Sequence, residues 1–124
     1  MVDLLTTYLA TLQRGMDLCN MLAKVYEPDM SEDWANRTLM QISSLRIGLA
    51  DRLAAPKLTV AHTLAVIGLI SRYLDSHWAD YIDFPKSEPA KRARVLELHE
   101  HLTAVMNEIG QVYNALLEDS STIA

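Results

Sequence analysis

The chain has 124 residues, 50% of them hydrophobic and 22% charged, which suits a single domain that buries enough surface to fold without a disulfide or a structural metal. A net charge of −5 and a pI near 5.2 oppose general nucleic-acid binding, which needs a basic face against phosphates, so nucleic acid is not an expected partner. No apolar run reaches the roughly 20 residues of a membrane span, and Asp3 stands where a signal peptide would be basic, so no membrane association is expected and the cytoplasm is the default location.

The first helix is expected over about 3–26, because Leu5, Leu9, Leu12, Met16, Cys19, Ala23 and Tyr26 recur at alternating spacings of four and three. Glu27-Pro28-Asp29 ends it, since proline disfavours helical geometry in the residue before it and lacks a donor. Ser31 is the expected N-cap of a second helix, with Glu32 and Asp33 in a first turn that favours carboxylates. That helix runs to near Ala54, ahead of Pro56, with Leu39, Ile42, Leu45, Leu49 and Leu53 as its apolar face.

Thr59 is the expected cap of a third helix over about 60–81, carrying Leu64, Ile67, Ile70, Leu74 and Trp78, and Asp83-Phe84-Pro85 ends it. Ser87, Glu88 and Pro89 open the last helix, with proline near the first turn where its missing N–H costs little. Leu98, Leu102, Val105, Ile109, Val112 and Leu116 keep the rhythm to about Glu118. The fold class is therefore all-α: an antiparallel bundle of about four long amphipathic helices, one domain over 1–118, with a flexible C-terminal tail over 119–124.

Three features depart from a plain bundle. Gly15, Gly48, Gly68 and Gly110 all fall inside helices, where glycine costs roughly 1 kcal/mol relative to alanine, which points to close helix approach or room for a ligand. On the third helix apolar residues cover about 220° of arc at about 100° per residue, against about 100° for a surface helix. Beyond the main stripe, Val66, Leu69 and Tyr73 form a second line flanked by His77, and on the second helix Met40 and Ile47 lie on the otherwise polar side. These residues are the expected partner or dimer interface, because excess apolar surface is usually covered by another chain. Arg46 falls within the apolar arc of the second helix, as a buried ion pair or anion site, or as an edge arginine reaching water.

No catalytic set stands out. The lone cysteine, Cys19, occupies an apolar helical position, and no Glu-x-x-His pair of the di-iron bundles is present. Neither a metal nor a cofactor is expected. Lys91, Arg92 and Arg94 form a basic patch in the opening turns of the last helix, the end least favourable to cations, so a carboxylate nearby or an acidic partner should offset them.

Two short resemblances supply enzymatic alternatives. Arg72 with His77 and Arg94 with His99 have an Arg-x4-His spacing that resembles the motif of HEPN ribonucleases, helical and often dimeric proteins. In that family the two residues act together on a phosphodiester across the dimer interface, and neither copy here has the usual asparagine after the arginine. Ala61-His62-Thr63-Leu64 resembles the core of histidine phosphotransfer domains, with Ala65 and Val66 standing where that family has lysine and a small residue. The leading expectation is a non-enzymatic protein–protein interaction module, of adaptor, regulator, inhibitor or chaperone type, that forms a homodimer and meets an unidentified protein partner.

Overall fold

The computed structural model describes residues 3–83 and 88–123, and for 77–83 and 119–123 the backbone alone. Four helices, α1 (Leu4–Tyr26), α2 (Asp33–Ala54), α3 (Val60–Asp83) and α4 (Pro89–Ile123), account for nearly all of it, with a single 3-10 turn at Glu27–Asp29 between the first two. They pack in a ring, α1 on α2, α2 on α3, α3 on α4 and α4 back on α1. Contacts run in opposite senses along neighbours: Gly15 approaches Leu49 and Tyr26 meets Trp34 across α1 and α2, while Thr11 reaches Glu108 and Met21 reaches Arg94 across α1 and α4. The result is the antiparallel all-α bundle that the periodicity predicts. None of the described helices is long and apolar enough to cross a membrane.

The punctuation follows local chemistry. Asp3 caps α1, its carboxylate accepting from the Leu5 N–H at 3.2 Å and the Thr6 hydroxyl at 3.0 Å. Thr59 caps α3 as expected, accepting from the His62 N–H at 3.2 Å, and the His62 ring lies 2.7 Å from the same hydroxyl through Nδ1. Glu88 accepts the first backbone bond of α4, from Arg92 at 3.2 Å, with Pro89 as the first helical residue. Ser87 lies outside the described residues. Ser31 is not the cap of α2: the turn after Pro28 continues through Glu32 N–H to Asp29 O at 2.9 Å, so Glu32 takes the N-cap position and its carbonyl accepts from Asn36. At the other end α4 runs on to Ile123, past the end expected at Glu118, through a segment that contains neither glycine nor proline.

The stripes that face inward are rotated from those expected on two helices. On α1 the buried line is Tyr8, Leu12, Gly15, Cys19, Leu22 and Tyr26, also spaced four and three, while Leu5 is exposed. On α3 it is Thr63, Val66, Ile70 and Tyr73, and Leu64, expected in the core, is 52% exposed. Val66 and Tyr73 are thus core residues of one chain and not the interface residues expected, and Leu69 packs half-buried against that core. The physical reason is the ring: α3 has a neighbour on each flank, so a broad apolar arc is covered within the chain. On α2 and α4 the expected lines are inside, Ile42, Leu45 and Leu49 on the first and Leu98, Leu102, Val105, Ile109 and Val112 on the second.

Two of the glycines mark close approach. A Cβ on Gly15 would stand 2.9 Å from the buried Leu49 Cδ1, and one on Gly48 the same distance from Leu69 Cδ1, whereas Gly68 and Gly110 have nothing within 4 Å. Leu49 is fully enclosed and cannot swing away; Leu69 is half-exposed and can. Replacing Gly68 or Gly110 by alanine should therefore raise stability by about 0.5–1 kcal/mol through helix propensity alone. Gly15→Ala should instead lower it by about 1 kcal/mol, because overpacking outweighs that gain, with Gly48→Ala between the two. Urea denaturation of the four variants orders them.

Candidate functional site

Arg46, the candidate for a buried ion pair or an anion site, is not buried. Its side chain is exposed, and its Nε donates to the Asn20 side-chain oxygen at 2.8 Å across α1 and α2, with no carboxylate partner among the described residues. The arginine lies at the edge of the apolar arc and carries its head group to water while its stem lines a shallow groove with Ile42 and Leu39. Beneath it Cys19 is fully buried, and burial pushes its thiol up to about 12 against the opposing pull of the Arg46 charge. A thiol held protonated in the core is a packing residue.

The basic patch at the start of α4 is tied to the bundle. Lys91 Nζ stands 2.9 Å from Glu88 and 3.1 Å from Asp29 in the 3-10 turn, and these hydrogen bonds, Glu88's first, raise the lysine pKa. Arg94 donates to Glu97 at 2.8 Å and reaches the Met21 sulfur at 4.0 Å, and Arg92 also has a partner. Carboxylates of the chain's own thus offset the cations that the helix N-terminus disfavours.

Of the two Arg-x4-His pairs, Arg94 and His99 turn to opposite neighbours. Arg94 faces α1, whereas His99 faces α3, its Nε2 3.0 Å from the Tyr73 hydroxyl and its ring edge-on to the tyrosine at 5.4 Å between centroids. Five residues along a helix rotate a side chain by about 500°, or about 140° net, so the pair cannot converge within one chain. Arg72 is exposed, and the His77 side chain lies outside the described residues. His62, the histidine of the phosphotransfer resemblance, is engaged with the Thr59 cap in the first turn of α3. Among the described residues no three histidine, cysteine or acidic side chains gather to hold a metal.

Two surfaces remain. Between α1 and α4 a groove of about 370 Å³ has Leu18, Leu98 and Val105 on its floor and Arg14, Arg94, His101 and Glu108 at its rim. Arg14 and Glu108 form an ion pair across it, and the Thr11 hydroxyl, bonded to Thr7 O at 2.7 Å, lies 3.4 Å from the same carboxylate. Away from that groove, α2 exposes Met40 to 64% and Ile47 to 55%, and α3 exposes Leu64 to 52%. Met40 and Ile47 are where the sequence places them, seven residues apart on one line; Leu64 was missed because its spacing to Ile67 and Leu74 is that of a core residue.

Exposure of Arg46 fixes what its removal does. Arg46→Ala loses one exposed hydrogen bond and should cost well under 1 kcal/mol, measured by chemical denaturation, whereas a buried pair left half-empty costs roughly 3–5 kcal/mol. No protein-family model matches the chain, nor does any curated protein or solved structure, so its function is argued from geometry.

Proposed function

We propose that the chain is a non-catalytic helical interaction module that self-associates through the outward line of α2 and offers the α1–α4 groove to a protein partner. The observation that carries this is the exposure of Met40 and Ile47, two large apolar side chains seven residues apart on the outward line of α2. Scattered apolar side chains on a surface are ordinary. Met40 and Ile47 differ, since they share a line about half a turn round from the buried Leu49 at about 100° per residue.

A second copy is the simplest cover, because one self-complementary patch suffices to build a two-fold pair, the commonest soluble assembly. Burying side chains of this size contributes roughly 1.5–3 kcal/mol each, set against several kcal/mol for lost rotational and translational freedom, so the pair is a modest one. It leaves the α1–α4 groove open on the far side of both copies. That groove combines an apolar floor with charges of both signs, a lining suited to a helix of mixed charge laid lengthwise.

Sedimentation or light scattering over roughly 1–100 µM tests the self-association, a range in which a Kd of tens of micromolar is resolved. The parent chain should pass from monomer to dimer, and Ile47→Glu should remain monomeric with an unchanged far-ultraviolet circular dichroism spectrum, since Ile47 makes no core contact. A parent that is monomeric throughout overturns the proposal.

A further inference from the structure

The uncovered side of α2 carries a pattern of its own. Asp33, Arg37, Met40, Ser44, Ile47 and Asp51 follow one another at spacings of four, three, four, three and four, and every one of them is exposed. That is the rhythm of a helix face that packs lengthwise against another helix, and within the chain the line is left exposed, with Ser44 at the edge of the groove that α2 forms with α3. The line is apolar at its middle and oppositely charged towards its ends, Arg37 on one side of Ser44 and Asp51 on the other. Neither charged side chain has an ion-pair partner among the described residues.

Resting on the proposal that the chain self-associates, we infer that two copies pack α2 against α2, antiparallel, about a two-fold axis at Ser44. Arg37 and Asp51 lie seven residues either side of Ser44, about 10 Å along the helix. The axis therefore sets Arg37 against the partner subunit's Asp51, and by symmetry Asp51 against the partner subunit's Arg37. Met40 comes against the partner subunit's Ile47, and the small Ser44 at the centre lets the two backbones approach. Other registers lose this match. A parallel pair sets Arg37 on Arg37 and Asp51 on Asp51, and a slip of about one turn, which moves the axis to the level of Ile42, sets Asp51 on the partner subunit's Asp33. Charge therefore selects both direction and register, as it does between paired helices generally.

Charge reversal and crosslinking test the geometry separately from the association itself. Arg37→Asp and Asp51→Arg should each raise the dimer dissociation constant roughly tenfold at low salt, and the double variant should recover most of the loss, because two like-charged contacts per dimer become opposite again. In a second arm, Ser44→Cys is treated with a short bifunctional thiol crosslinker at dimer-forming concentration, with Glu100→Cys on α4 as the control; Cys19 is buried and stays unmodified. Crosslinking at Ser44 and not at Glu100, with rescue by the double reversal, is the expected result. A parent that dimerises without Ser44 crosslinking and without rescue overturns the α2 register and leaves self-association standing. A parent that stays monomeric overturns both.

Discussion

Closure of four helices into a ring is the constraint on which the remaining features depend. Each helix has two neighbours, so each buries a stripe wider than one contact line, and what faces inward is set by where those neighbours lie. On α3 the consequence is plain: Leu69 leans over Gly48 of α2, Tyr73 reaches His99 of α4, and Val66 and Ile70 fill the space between. The Gly15–Leu49 contact does the same for α1 and α2, where a missing side chain lets a buried leucine seat against the opposite backbone.

The same constraint explains which parts of the fold were legible in the sequence. Helix ends depend on a few adjacent residues, so Pro28, Pro56, Thr59 and Pro89 mark them correctly, and the error at Ser31 is a single position within a turn. The rotation of a helix about its axis depends on neighbours far away in the chain. Where two apolar lines overlap, as Leu5–Leu9–Leu12 and Tyr8–Leu12–Gly15 do on α1, spacing alone cannot choose between them. On α3 spacing puts Leu64 in the core and Val66 and Tyr73 on the surface, the reverse of their places in the ring. Arg46 shows the limit from the polar side: a long side chain rooted in an apolar arc still reaches water, and the Asn20 oxygen is a sufficient partner.

On α2 the ambiguity does not arise, because its inner and outer lines differ in character. Ile42, Leu45 and Leu49 form a continuous apolar line, whereas the outer line interrupts Met40 and Ile47 with Ser44 and ends in charges. A core line has no use for Arg37 and Asp51, and a purely solvated face has no use for Met40 and Ile47. Apolar centre, small residue and charged flanks together are what the proposed α2–α2 contact rests on. The groove on the far side of the ring has a similar balance, with Leu18 and Val105 between the Arg14–Glu108 ion pair and Arg94. A paired module would then present two such grooves facing away from each other.

The proposed association runs through the outer line of α2 and not through the second apolar line of α3. Methyl resonances followed as protein concentration rises from roughly 10 µM to 1 mM, a span that brackets a modest dimer, test it most directly. Pairing through α2 should give concentration-dependent shifts at the Met40 and Ile47 methyls, with those of Val66 and Val95 in the core unmoved. Shifts confined to Leu18, Met21 and Val105 in the α1–α4 groove, or no shifts at any methyl, would contradict it.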